Sequence, residues 1–416
     1  MRCTYMRFAR RVLAAAAVAL LAVSGCGSIG KDPGAAEVEV FTWWADGGEK
    51  AGLDALVSRF TADCPGQQFE NAAVAGGAGV NAKQRLLTRI QRNDPPDTFQ
   101  VHAGAELDDY IAAGRLQDLT ADYDAWGLRQ VLPPGLLEGL TVNGKIYSVP
   151  ANIHRANVVW VNTRVLAEAG ITGTPRTLDA LLRDLATLRG AGIEAPLAVG
   201  RDWTQLMLLE AVLISHLGAE SFTRLFTGAT DWNSGEVTEA LGDYAALLDY
   251  SNADRDSRDW PEAERLLVEG RAAFHVMGDW AAPGLDHFTF PGNDGVFQWL
   301  ADSFVLPTGA ANPDGTRCWL RTVASAEGQR EFNVRKGSIP ARTDVAGTGF
   351  SGYQLAAMRD WKSDIPVPSC AHGSACSQDW QNAVNTALGT FSIARYKDIA
   401  SLREALAAAA AQYIKG

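Results

Sequence analysis

What most limits the fold of this chain is an alternation of strand and helix patterns beyond its first three dozen residues. Val38, Val40 and Phe41 form a short apolar run that reads as a strand. Leu53, Leu56, Val57 and Phe60 then fall at helical spacing, and Pro65-Gly66 ends that helix. Residues 68–74 read as a second strand, 83–92 as a second helix stopped by Asp94-Pro95-Pro96, and 98–102 as a third strand. A β-α-β-α-β order predicts an α/β fold. Open sheets of this kind take ligands at the carboxyl ends of their strands.

The first such end carries Trp43-Trp44, two glycines and Glu49. Neighbours on a strand end point to opposite sides, so at most one indole is pure core there. The other can offer a flat apolar face and one N–H donor, which suits the C–H face of a sugar ring. The competing reading has both indoles capping the core beneath a loop. After the second strand, Gly77-x-Gly79-x-x-Ala82 has the form of a dinucleotide fingerprint. Asp97 precedes its strand instead of ending it, so the motif reads as a tight βα turn and no nucleotide cofactor is expected. At the third strand end, Gln100 and His102 share a face just before Ala103-Gly104. They read equally as a structural pair or as ligand contacts.

Residues 1–25 carry Arg2, Arg7, Arg10 and Arg11 and then an apolar run from Val12 to Val23. That run is short for a membrane span and fits a signal peptide. It closes in Val23-Ser24-Gly25-Cys26, which resembles a bacterial lipobox with Cys26 as the lipidated residue; a plain signal with a chance cysteine is the alternative. Residues 26–36 read as lipidated cysteine and tether. The expected location is extracytoplasmic, with membrane attachment through acyl chains only. Cys64, Cys318, Cys370 and Cys376 then remain in an oxidising space. Of the three pairings, Cys370–Cys376 closes a short local loop and leaves Cys64–Cys318; four buried thiols are the alternative. No Cys-x-x-Cys occurs, and no metal site is expected. The net charge of −11, without a basic block after the signal, argues against nucleic acid.

About 390 residues follow the signal, enough for two or three domains. Residues 145–150 and 158–161 read as strands, 178–189, 204–217, 237–248 and 261–269 as helices, 272–277 and 304–306 as strands, and 402–413 as a helix. Several strand ends carry Asp, Trp, Asn or His, as one concave polar-aromatic site assembled from distant segments would. Twelve tryptophans are many for this length.

The strings Phe41-Thr42-Trp43-Trp44, Gly76-Gly77-Ala78-Gly79-Val80-Asn81-Ala82, Asp94-Pro95-Pro96-Asp97-Thr98-Phe99-Gln100-Val101-His102-Ala103-Gly104 and Val149-Pro150-Ala151-Asn152-Ile153-His154-Arg155 carry a resemblance. So do Met277-Gly278-Asp279-Trp280, Asp302-Ser303-Phe304, Lys336-Gly337-Ser338-Ile339-Pro340 and Ala357-Met358-Arg359-Asp360-Trp361. In order, they resemble the carbohydrate-type extracellular solute-binding proteins of bacterial ABC transporters, especially the periplasmic glucose/galactose/mannose binders. The resemblance implies a two-lobed periplasmic-binding-protein fold of α/β class with a hinge of several crossovers. It places residues 37–151 plus 300–331 in an N-terminal lobe and 152–299 plus 332–416 in a C-terminal lobe.

The resemblance also implies a ligand set. Trp43 and Trp44 match an aromatic pair, Glu49 the acidic residue after it, Gln100 and His102 a polar strand end, and Trp280 a stacking aromatic. Asp302, Lys336 and His372 match polar sugar contacts, and Lys83, Asn152 and Asp279 belong to the same site. It further implies a monomer that binds a glucose-like monosaccharide without cofactor and hands it to permease subunits. Cys318 and Cys376 depart from the pattern, and residues 281–299 are short, which leaves room for a second sugar unit. Two other functions stay open: a secreted carbohydrate-active hydrolase using two of Glu49, Asp279 and Asp302, and a sugar-sensing lipoprotein without a transport role.

Overall fold

A computed structural model describes residues 36–75, 79–281 and 284–414. Cys26, its signal and the tether up to residue 35 lie outside the described residues, as do Gly76, Gly77 and Ala78. The first sheet orders its strands Gln67–Asn71, Ala36–Phe41, Thr98–His102, Asp302–Val305 and Ser148–Pro150. The first three are mutually parallel, as the helices Gly47–Asp63 and Val80–Gln91 between them require. The last two join antiparallel. A second sheet orders Asp286–Thr289, Val158–Val161, Phe274–Val276 and Leu197–Ala198.

Each sheet has its own apolar core. The first gathers Val38, Trp44, Phe60, Phe99, Phe304 and Trp319. The second gathers Trp160, Leu185, Leu209, Phe222, Tyr244 and Phe274. These are the two lobes expected. Phe332, Ile339, Ala357 and Trp361 belong to the first core, so the packing carries that core past residue 331, the limit expected above. The helix Ala326–Lys336 lies against Gly47–Asp63, where Gly52 leaves space for the Phe332 ring.

The connections between lobes form a sheet of their own. Ile365–Pro368, Val296–Leu300 and His154–Arg155 lie side by side in that order. Along the middle strand, Phe297 and Trp299 enter the first core while Val296 and Leu300 enter the second. The period-two alternation of a strand thus serves both lobes from one segment.

The disulfides are Cys64–Cys318 and Cys370–Cys376, the pairing preferred from the sequence. The first ties the end of helix Gly47–Asp63 to helix Pro313–Ala324.

Candidate functional site

Strand register brings the polar residues of the first lobe together. Asp302 faces His102 across the antiparallel pair, and Gln100 lies two residues along on the same face. Gln100 Nε2 donates to Asp302 Oδ1 at 3.0 Å. Its carbonyl accepts from Thr42 Oγ1 and from the Trp43 amide, which fixes the Trp43 loop to the strand end. Asn152 and Asp302 bind reciprocally: Asn152 Nδ2 donates to Oδ2 at 2.8 Å, and the Asp302 amide donates to Asn152 Oδ1 at 2.8 Å. Lys336, at the end of helix Ala326–Lys336, stands 3.2 Å from Glu49 and 3.8 Å from Asp302. His102 Nδ1 meets Glu106 Oε2 at 2.8 Å, and Lys83 Nζ meets the same oxygen at 2.8 Å.

The second lobe adds an aromatic wall. Asp279 accepts from His154 Nδ1, from the Arg155 amide at 3.1 Å and from the Tyr353 hydroxyl at 3.2 Å. Trp280 stands edge-on to His154 at 5.2 Å and to His372 at 5.1 Å. Trp203 lies 5.2 Å from His372. His372 then meets His102 of the first lobe at 5.8 Å, and Trp43 lies 5.2 Å from His102. Indoles therefore flank the histidines from both lobes.

The tryptophan pair divides as strand geometry requires. Trp44 is fully buried between Phe304 and Phe332 and belongs to the core, with Lys336 above its ring. Trp43 faces the site beside Lys83. Gly79, at φ +93°, lets the turn pass beneath Trp43, where a Cβ would come within 3.1 Å of the indole. That gives the glycine of the dinucleotide-like motif a packing role. Every residue expected in the ligand set joins one connected cluster, Trp44 only from the core side through the Lys336 ammonium above its ring.

Residues of that cluster absent from the expected set include His154, Glu106, Trp203 and Tyr353. His154 lies two positions after Asn152, a spacing that could have revealed it. Glu106, Trp203 and Tyr353 carry no such signal, because each comes from a loop or a helix start.

The charges compensate within the cluster. Burial alone would raise the Asp302 carboxyl, but Lys336 and the nearby His154 ring, 3.5 Å away, outweigh it and hold it well below the usual carboxylate range. Glu106 is likewise pushed up by burial and more strongly down by Lys83 and His102, to about 2. Burial lowers His154, yet Asp279 outweighs it and favours the charged ring. Lys336 follows the same logic: desolvation is outweighed by Glu49 and Asp302. The carboxylates Glu49, Glu106, Asp279 and Asp302 thus face Lys83, Lys336 and His154. With most of its charge compensated in this way, the site suits a neutral ligand rich in donors and acceptors better than an anion.

The lobes meet along a main-chain seam. The Glu106 amide donates to Gly373 O at 2.8 Å, and the Ala105 amide donates to Ser374 O at 3.3 Å. Gly104 adopts φ 110°, ψ −144°, and a Cβ there would stand 2.4 Å from Ser374 O. This backbone region is almost confined to glycine and costs other residues about 1–3 kcal/mol. Gly104→Ala is expected to weaken ligand binding by roughly tenfold or more, about 1.4 kcal/mol per factor of ten, because the clash exists only where the lobes are joined. Calorimetry and circular dichroism together check this: unchanged affinity in a folded variant excludes the seam from the bound form.

Residues 44–330 match the family described as bacterial extracellular solute-binding protein. The chain is 32% identical over 379 residues to an uncharacterised ABC transporter extracellular-binding protein of Pyrococcus horikoshii, across 87% of this chain and 85% of that one. It is 31% identical over 371 residues to the xylose/arabinose-binding protein XacG of Haloferax volcanii, across 85% of this chain and 80% of that one. Among solved structures it shares its fold with the bacterial solute receptor AcbH, described as having an exclusive preference for b-D-galactopyranose. That match has a TM-score of 0.81 at 17% identity and covers 92% of this chain and all of the other.

Proposed function

Because the chain belongs to the family of bacterial extracellular solute-binding proteins, we propose that it captures a glucose-like monosaccharide by lobe closure and delivers it to ABC-transporter permease subunits. The coarser part, an extracytoplasmic sugar-binding receptor of the ABC-transporter type, follows from its relatives. The monosaccharide, the lipid anchor through Cys26 and a monomeric state are our reading.

The observation that carries it is the cluster of largely compensated charges around Asp302, flanked by Trp43 and Trp280. A hexose presents hydroxyls that donate and accept. Asp302 and Glu49 accept, Lys336 donates, and each hydrogen bond to a charged group contributes roughly 1.5–3 kcal/mol. The indoles cover the apolar ring faces. XacG is named for xylose and arabinose and AcbH is described by its preference for a galactopyranose, both single sugar units.

We read the site as binding without turnover. A glycosidase acid needs a carboxyl raised toward neutrality, whereas Asp302 is held the other way.

Calorimetric titration with glucose, galactose, mannose, xylose, arabinose and disaccharides tests the proposal. The expected result is one-to-one binding of a hexose with no product. A response to disaccharides alone moves the receptor to an oligosaccharide ligand, and released sugar overturns binding without turnover.

A further inference from the structure

The helix Trp203–Leu225 is apolar along most of its length, yet Glu210 is fully buried near its middle. Glu210 lies seven residues after Trp203, two turns on and so on the same face. No ion pair joins it among the described residues. Four donors surround its carboxylate instead. The Cys370 and Ala371 amides donate to Oε1, while Gln298 Nε2 at 2.8 Å and Ser369 Oγ at 2.9 Å donate to Oε2.

Three of these donors, on Ser369, Cys370 and Ala371, sit at the start of the loop that Cys370–Cys376 closes and that carries His372. Ser369 Oγ also lies 3.1 Å from His372 Nδ1. A serine hydroxyl has one proton. Because the carboxylate takes it, the serine oxygen must accept from His372, so Nδ1 carries the ring proton. His372 is kept neutral, its charged form disfavoured first by burial and then by His102 and Lys83. Its Nε2 is then a bare lone pair. That atom is buried and has no hydrogen-bond partner among the described residues, and it belongs to the ring that Trp280, Trp203 and His102 surround.

We infer that Glu210, through Ser369, sets the tautomer of His372 and so makes Nε2 an acceptor for one ligand hydroxyl. Glu210 is thus a positioning residue that acts on specificity without touching ligand. The inference rests on the sugar-binding reading for its ligand but not for its tautomer. The device answers a particular difficulty. Lys83 and Lys336 only donate, so a ligand hydroxyl that must donate needs acceptors among the aromatic wall as well as among the carboxylates.

The test is nitrogen-15 NMR of the histidine rings in the full mature chain at pH 8.5, above the value of about 7 to which burial pushes the Glu210 carboxyl. The wild type is expected to show His372 protonated at Nδ1. In Glu210→Gln the amide can donate to Ser369, whose proton then turns to Nδ1, so His372 is expected to become the Nε2–H tautomer. Affinity for the bound sugar should fall about tenfold in that variant, and affinity for the deoxy sugar lacking the contacting hydroxyl should not change. Ser369→Ala removes the link while leaving Glu210 on the loop amides, and decides the matter if Glu210→Gln does not fold; a mixed tautomer is expected. An Nε2–H ring in the wild type, or the same tautomer in all three proteins, overturns the inference. Should no sugar bind the wild type, the functional reading fails while the tautomer result still stands.

Discussion

Alanine in place of Asp302 is expected to lower sugar affinity by at least a hundredfold. Asp302 accepts from Gln100 and Asn152 and faces His102, His154 and Lys336. The side chains of Lys336 and His154 are 3% and 1% exposed, so neither can turn to water for a substitute partner. Removing one partner of a buried charged network costs about 3–5 kcal/mol, equivalent to roughly two to three and a half powers of ten in a dissociation constant. Part of the loss falls on the free protein, which should also melt earlier. Asp302→Asn separates charge from shape: its amide would point a donor at groups that already donate, so it should fare little better. Calorimetry and thermal melting on both variants check this. Affinity within threefold of wild type in a folded Asp302→Ala protein would place the ligand elsewhere.

The largest expected loss of stability comes from replacing Cys64 and Cys318 together by serine. Their bond closes a loop of 254 residues. On the chain-entropy account, restoring that freedom to the unfolded chain costs roughly 5 kcal/mol, comparable to the whole stability of many domains. Cys370–Cys376 closes only 6 residues, for which the same account gives about 2 kcal/mol. Its removal should act on the loop bearing His372, and hence on affinity. Urea unfolding of the two double variants distinguishes them. Equal midpoints for the Cys64/Cys318 variant and the wild type would show that the long loop contributes nothing.

The first lobe was legible because its elements obey simple periods. The strand expected at residues 98–102 is the strand Thr98–His102, the apolar stripe from Leu53 to Phe60 lies in the helix Gly47–Asp63, and the helix expected at 83–92 is Val80–Gln91. Even the limit of one helix at residue 217 has a cause: at Gly218 the backbone leaves helical geometry, and a second helical segment continues to Leu225. The run 145–150 was less well read. Tyr147, which belongs to neither strand, divides it into Lys145–Ile146, in a hairpin, and Ser148–Pro150, in the main sheet. The helices Pro313–Ala324, Ala326–Lys336, Gly352–Ser363 and Gln378–Ile393 lie where no helix was read, although Trp319, Leu320 and Val323 in the first and Trp380, Val384, Leu388 and Phe391 in the last fall at helical spacing on buried faces. In Ala326–Lys336 the buried face is Gly328, Gln329, Phe332, Asn333 and Lys336, so no apolar stripe exists to find. Its polar side chains bind the backbone of the crossover instead: Gln329 donates to Pro150 O and Asn333 to Ala151 O. In the site, residues at strand ends were readable, whereas Glu106 and Trp203 reach it through tertiary packing alone.

The Cys64–Cys318 bond also changes what a protease can accomplish. It makes residues 64–318 a covalent ring, and the sheet and helices of the second lobe between residues 152 and 299 lie within that ring. One cut anywhere between the two cysteines opens the ring but releases no fragment. The severed molecule keeps its N-terminal end, both cores and the seam on a single covalent skeleton, and runs as one band on a gel until a reductant is added. A nick in this stretch then leaves the receptor in one covalent piece and does not cost it half its chain.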